Sequence, residues 1–168
     1  MKKQIETERK YIIEMPDIDA LRKMKDYTES KITQIYLIDD MGKTHRIRKR
    51  EYKDKTLFYE NIKTRISAMS VIEEEGEISD SRYLDLSKKI DPRSAPVYKK
   101  SITFAYGAHT LEIDIYPEWK KTAILEAELG SEDEIPDFPP EIKIILEVTG
   151  DKCYSNHSMS FGFPAEIL

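Results

Sequence analysis

The stretch Ile5-Glu6-Thr7-Glu8-Arg9-Lys10-Tyr11-Ile12-Ile13 decides how the chain is expected to fold. We predict a β-strand over Gln4–Glu14, and the side chains of a strand alternate between its two faces. Glu6, Glu8 and Lys10 therefore share one face. Two carboxylates two residues apart can hold a hard cation, and the lysine can hold an anion beside it. Taken alone, this face is more typical of a solvated strand surface.

Later segments repeat the alternation of charged and apolar residues. Further strands are predicted over Lys31–Asp39, Lys43–Arg50, Leu57–Ile66, Val71–Ile78, Val97–Ala105, His109–Tyr116, Thr122–Leu129 and Lys143–Thr149. The acidic residues on the polar side of these strands are Glu6, Glu8, Glu73, Glu75, Glu77, Glu112, Asp114, Glu126 and Glu128. The basic residues on the same side are Lys10, Arg46, Arg48, Lys63, Arg65 and Lys99. This repetition indicates one extended charged surface.

A few segments have helix or turn signals. Pro16 and a 3.6-residue apolar period predict a helix over Asp17–Ser30. Ser79 and its neighbours predict the cap of a short helix near Arg82–Lys88. The acidic Ser131–Glu134 resembles another helix cap, and Asp39–Gly42 is a predicted hairpin turn.

Two architectures can use a sheet with one charged face. An open antiparallel sheet would wet its charged face and bury the other under helices. A closed barrel would enclose the charges and carry its helices outside. The few helices and the many long strands favour an eight-stranded barrel, whose interior holds side chains or one small ligand. Because unpaired buried ions are costly, such an interior is expected to bind metal cations together with a polyanion.

Composition sets the remaining expectations. A length of 168 residues fits one domain over 1–168. The formal net charge of −5 argues against general nucleic-acid binding. Cys153 is the single cysteine, and no apolar stretch is long enough to span a bilayer. We therefore expect a cytoplasmic protein without a membrane partner.

The motifs on the charged face resemble those of the CYTH domain, or triphosphate tunnel metalloenzyme, superfamily. The similar segments are Glu6-x-Glu8-x-Lys10, Arg46-x-Arg48, Lys63, Glu73–Ile78, Gly107–Asp114, Glu126-x-Glu128 and Glu147–Asp151 with Tyr154 and Asn156. Their order and spacing together cover almost the whole chain. The resemblance implies a mainly β (α+β) fold, a closed eight-stranded antiparallel tunnel with a few helices packed outside. It also implies a triphosphate as ligand, with Mg²⁺ or Mn²⁺.

The resemblance further implies roles for individual residues. Metal ligands would be Glu6, Glu8, Asp114, Glu126 and Glu128, which with Lys10 form the expected catalytic set. Phosphate contacts would come from Lys10, Arg46, Arg48, Lys63, Arg65 and Lys99. Further candidates are Glu73, Glu75, Glu112 and Lys152. Ser101 and Val71 stand where many members carry arginine, which leaves the identity of the triphosphate open.

Hydrolysis of inorganic tripolyphosphate is the leading expectation, with one metal ion on the phosphate oxygens and a second on the attacking water. Thiamine triphosphatase, class IV adenylyl cyclase and a non-catalytic triphosphate or nucleotide sensor are the alternatives. The protein is expected to act on a small molecule, and a homodimer is considered as its assembly. His45 and Trp119 are expected to be packing residues rather than catalytic ones.

Overall fold

The computed structural model describes residues 1–38 and 42–168 and is built mainly from β-strands. The strands are β1 Lys2–Glu14, β2 Lys25–Tyr36, β3 Thr44–Glu51, β4 Thr56–Arg65, β5 Ser70–Ile78, β6 Val97–Tyr106, β7 His109–Ile115, β8 Thr122–Glu128 and β9 Ile144–Glu147. The helices are α1 Ile18–Leu21, α2 Asp80–Ser87 and α3 Asn156–Met159, with a 3₁₀ turn at Lys152–Tyr154.

β1 is the strand at which the sheet closes on itself. Its first half, Lys2–Thr7, pairs antiparallel with β5. Its second half, Glu8–Glu14, pairs antiparallel with β8. The strand order in the described residues is β5-β4-β3-β2-β6-β7-β8-β1, so the β5–β1 pairing completes an eight-stranded barrel. The closed antiparallel fold predicted from the sequence is confirmed.

β9 is an additional strand outside the barrel. It pairs with Tyr11–Ile13 of β1, and the Val148 amide donates to the Lys10 carbonyl at 2.8 Å. Because β8 occupies one edge of this half of β1, β9 takes the edge that β5 leaves free. The predicted strand over Lys143–Thr149 therefore exists but is not part of the barrel wall.

Apolar clusters cover the outside of the barrel and fill one end of it. The outer cluster joins Tyr11, Ile13, Leu111 and neighbours to α1 through Leu21. A second cluster on the outside packs α2 against Ile47. The third joins inward-facing Ile12 and Ile124 to the C-terminal segment and contains Trp119. Charged residues are thus left to line the rest of the interior.

The predicted helix over Asp17–Ser30 is wrong beyond Leu21. Residues 25–30 belong to β2, where Thr28, Glu29 and Ser30 pair with β6. Met24 and Tyr27 still pack on the outer apolar cluster. Their 3.6-residue spacing suggested a helix, but the backbone groups of this segment make their hydrogen bonds to β6 in the sheet.

Other local predictions have mixed outcomes. Ser79 caps α2 by accepting from the Arg82 amide, as expected. Ser131–Glu134 forms bends and turns rather than a helix. The predicted hairpin turn over Asp39–Gly42 lies outside the described residues except for Gly42. Within the described residues, no helix is long and apolar enough to cross a membrane.

Candidate functional site

A cavity of about 690 Å³ lies inside the barrel. Its acidic lining residues in the described ranges are Glu6, Glu8, Glu73, Glu75, Glu112, Glu126, Glu128 and Asp151. Its basic lining residues there are Lys10, Arg46, Arg48, Arg50, Lys63, Arg65, Lys99 and Lys152. The structure thus brings every sequence-predicted site residue to this lining except Asp114, which is fully buried in the barrel wall.

Asp114 belongs to a carboxylate cluster with Glu112 and Glu126. One carboxylate oxygen from each of the three lies within 4.8 Å of the others. The register explains the grouping, because Glu112 on β7 is the direct neighbour of Glu126 on β8. Among the described residues, Asp114 Oδ1 is a buried acceptor without a hydrogen-bond partner. An unpaired buried oxygen beside two carboxylates is the kind of donor set that a hard divalent cation prefers.

Lys99 neutralises part of this cluster. Its Nζ donates to Asp114 Oδ2 at 2.5 Å and lies 3.9 Å from Glu112 Oε1. Ser101 donates to the same Glu112 oxygen at 3.0 Å. Burial raises the pKa of Asp114 to about 7, although Lys99 opposes that rise. Ser101 therefore donates a hydrogen bond to Glu112 at the position where the resemblance implied an arginine.

Lys10 connects the cluster to the first strand. Its Nζ lies 3.1 Å from Glu126 Oε1 and donates to the Tyr154 carbonyl at 3.3 Å. Burial alone would raise the pKa of Glu126, but Lys10 and other lysines lower it to about 2. Burial, followed by the charge of Glu126, raises the pKa of Glu8 to about 8. Glu8 on β1 therefore favours its protonated form at neutral pH, whereas Glu126 on β8 favours its ionised form.

The arginines of β3 face a different set of carboxylates. Arg46 donates to Gln34 Oε1 at 3.1 Å and lies 3.8 Å from Glu73 Oε1. Arg48 forms a short ion pair with Glu75. In the described ranges, Arg46 Nε, Arg48 Nε and Gln34 Nε2 are buried donors without partners. This side of the tunnel has unused hydrogen-bond donors that an anion would satisfy.

Lys63 and Arg65 on β4 have unequal environments. Lys63 Nζ donates to Glu6 Oε2 at 2.9 Å and lies 3.7 Å from Glu73 Oε1. Arg65 donates to the Ser67 and Ala68 carbonyls at 2.9 and 3.3 Å. Lys63 therefore links the first-strand motif to the acidic strand β5, whereas Arg65 stabilises a turn.

The C-terminal segment closes one end of the cavity. Lys152, Asn156 and His157 all line it. Tyr116 donates to Asn156 Oδ1 at 2.7 Å, and the same hydroxyl lies 3.5 Å from Asp114 Oδ2. The Tyr116 hydroxyl thus connects the C-terminal segment to the carboxylate cluster.

Several lining residues were missed in the sequence. Arg50 lines the cavity, and Asn61 is buried on the same inner face, where it contacts two of the lining carboxylates. They have the same strand parity as Arg48 and Lys63, so alternation alone was a sufficient signal. Asn61 donates to Glu73 at 2.6 Å and to Glu75 at 3.0 Å. Asn156 was named in the sequence only through the family resemblance, because the tail has no periodic signal.

His45 and Trp119 both lie outside the described cavity lining. His45 Nε2 lies 2.9 Å from Glu60, which also accepts from Arg82 of α2 outside the barrel. Trp119 is buried in the cluster at the tail and donates to the Pro164 carbonyl at 3.1 Å.

Several solved structures are similar to this chain. The inorganic triphosphatase NE1496 is 23% identical, with a TM-score of 0.58 over 95% of this chain and 97% of that chain. The PH1819 protein from Pyrococcus horikoshii OT3 is 18% identical, with a TM-score of 0.59 over 78% of this chain and 82% of that chain. HpAC1 from Hippeastrum, described as an adenylyl cyclase candidate with a dominant triphosphatase activity, is 13% identical, with a TM-score of 0.53 over 74% of this chain and 80% of that chain.

No protein-family model matches the chain, and no curated protein sequence is significantly similar to it. At identities of 23% and below, the structural likeness shows the fold. That fold is the one implied by the resemblance to the CYTH superfamily.

Proposed function

We propose that this chain is a CYTH-type hydrolase that cleaves inorganic tripolyphosphate to pyrophosphate and phosphate with a divalent metal ion. The observation that carries the proposal is the pattern of unpaired groups in one tunnel. Within residues 1–38 and 42–168, Asp114 Oδ1 has no donor on the carboxylate side, and Arg46 Nε and Arg48 Nε have no acceptors on the arginine side. A cation and a polyanion bound together would satisfy both sides.

The residues present fit a divalent cation. Glu112, Asp114 and Glu126 would hold it, with Glu8 and Glu128 beside them on the same inner face. All are oxygen donors, as Mg²⁺ and Mn²⁺ require. When bound, the ion would supply charge to the phosphoryl oxygens and acidify a water molecule.

The cationic side chains would hold and orient the phosphate chain. Lys10 and Lys63 are each engaged with a carboxylate, Glu126 and Glu6 respectively. Binding would exchange these contacts for phosphate oxygens while Arg46 and Arg48 use their free donors. Water would attack the terminal phosphorus, and the bridging P–O bond would break to release pyrophosphate. Positioning and charge stabilisation would supply most of the rate gain.

Phosphate release from tripolyphosphate tests the proposal, with Mg²⁺, Mn²⁺ or EDTA present. We expect metal-dependent release, and we expect Glu126→Gln to slow it at least about a hundredfold, as for loss of one charge-stabilising group in an active site. Glu74→Gln is the matched control, because Glu74 lies on the outer face and contacts Lys3 at 3.8 Å. Circular dichroism establishes that both variants fold.

Parallel reactions discriminate the alternatives. Formation of cyclic AMP and pyrophosphate from ATP would favour a cyclase. Faster turnover of thiamine triphosphate than of tripolyphosphate would identify the protein as a thiamine triphosphatase. Tight tripolyphosphate binding without turnover would make the protein a sensor. Full activity of Glu126→Gln would reject the proposed metal site.

A further inference from the structure

Arg50 is a tunnel cation to which the described part of the chain supplies no carboxylate partner. It follows Arg46 and Arg48 on the inner face of β3 and lines the cavity. Within residues 1–38 and 42–168, no acidic group lies within 4.0 Å of its guanidinium, whereas Arg46 and Arg48 have Glu73 and Glu75. Its direct neighbours on β2 and β4 are Ile32 and Leu57. Its charge is therefore available to a ligand.

The strand register places Arg50 near the carboxylate cluster. Ile32 pairs with Arg50 on one side and with Lys99 on the other. Two strand spacings separate the backbones of Arg50 and Lys99, which is about 10 Å. Lys99 in turn contacts Asp114 and Glu112. The arginine row thus continues from Arg46 toward the proposed metal-binding region.

The row is longer than a triphosphate needs. Arg46 and Arg50 are four residues apart on one strand, which corresponds to about 14 Å. A linear phosphate chain repeats its charged oxygens at every phosphorus, so it can contact successive arginines along such a row. Arg46 Nε and Arg48 Nε are unpaired in the described ranges, and they precede Arg50 in the same line.

We propose that Arg50 extends the anion site beyond three phosphates and makes longer linear inorganic polyphosphates the preferred ligands. This inference rests on the proposed function, since it concerns the same tunnel.

The test compares tripolyphosphate with linear tetraphosphate and a medium-length polyphosphate. The KM for phosphate release is measured with Mg²⁺ present, and the Kd is measured by calorimetry in EDTA, where no turnover is expected. The wild-type protein should bind the longer chains more tightly. Arg50→Gln should weaken the longer chains about tenfold more than it weakens tripolyphosphate, the order expected for one charge-assisted hydrogen bond. Arg50→Lys should restore part of the difference.

Lys49→Gln is the matched control. Lys49 lies next to Arg50 on β3 but contacts Glu51 at 3.0 Å on the outer face, so its loss should leave the length preference intact. Equal Kd values for the three phosphates, or an equal effect of Arg50→Gln on all three, would overturn the inference. Binding that depends on length without any phosphate release would support Arg50 while rejecting the hydrolase.

Discussion

At the scale of single residues, the tunnel holds its charges in pairs that differ in how completely they are buried. The side chains of Lys99 and Asp114 have exposures of 3% and 0%. Their attraction must offset the desolvation of both ions, so neither can be removed alone without leaving the other unpaired. The pair is therefore costly to break and is not by itself a source of net stability.

A pair of variants tests this consequence. Asp114→Leu should lower the free energy of unfolding by about 3 kcal/mol or more, because Lys99 stays buried without its closest partner. Adding Lys99→Met should recover most of that loss, since apolar replacement of a whole buried pair is often neutral. Urea denaturation measures both changes. A double variant as unstable as the single one would contradict the argument, and neither should hydrolyse tripolyphosphate at the wild-type rate.

Inner-face residues were predictable because alternation along a strand is a local property. Glu6, Glu8 and Lys10 could be assigned to one face without knowledge of their strand partners. Partner identity could not be assigned in this way. That Lys10 contacts Glu126 and Lys63 contacts Glu6 depends on pairings between distant strands.

At the scale of elements, the strand that carries the Glu6-x-Glu8-x-Lys10 motif, β1, is long enough to pair with two different strands. One half of β1 binds β5 and the other half binds β8, with the change between Thr7 and Glu8. Closure was predictable from the number of strands, but this change of partner was not. The helix predicted over Asp17–Ser30 was wrong for a similar reason. Pairing with the distant strand β6 outweighs the 3.6-residue spacing of the apolar side chains in this segment.

The C-terminal segment is an element that the sequence left irregular, and packing gives it a defined place. Phe163 contacts Tyr116 and Trp119, with ring centroids 5.3 and 5.7 Å apart. Tyr116 connects onward to Asn156 and, at longer range, Asp114. Aromatic packing of the tail therefore supports the end of the tunnel next to the carboxylate cluster.

Phe163→Ala should destabilise the protein by about 2 kcal/mol, less than the cost for a fully buried phenylalanine because Phe163 is only partly buried. Trp119 is the single tryptophan, so its fluorescence reports this region directly in urea unfolding. Phe161→Ala is the control, because Phe161 is 45% exposed and lies outside this aromatic cluster. Similar losses for both variants would mean that Phe163 is not the anchor of the tail.

At the scale of the whole molecule, the described cavity lining contains as many acidic as basic residues. The interior is thus close to neutral only while most carboxylates stay ionised beside their cations. Burial opposes that state for Glu8 and Asp114, whose pKa values rise to about 8 and about 7. In the unfolded chain the same two carboxyl groups lose their protons near pH 4. Between about pH 4 and pH 8, the folded state therefore binds more protons than the unfolded state.

The metal-free protein should therefore become less stable as pH rises, by about 1 kcal/mol per pH unit for each proton that only the folded state retains. The pKa of Glu126 is lowered to about 2, so its contribution is constant above pH 5. Burial lowers the pKa of His157, which opposes the fall only up to about pH 6.5. The interval from pH 6.5 to 8 is consequently the one in which the fall should be clearest.

Urea denaturation in EDTA across pH 6.5–8 measures this slope, and Glu8→Gln should reduce it because the variant has no proton to release at that site. Adding Mg²⁺ should raise stability more at pH 8 than at pH 6.5, since a cation displaces protons that are already partly lost at the higher pH. A flat profile in EDTA would show that Glu8 and Asp114 are ionised in the folded protein. Equal stabilisation by Mg²⁺ at both pH values would show that the cation binds away from them, which would separate the tunnel's acid–base behaviour from its metal binding.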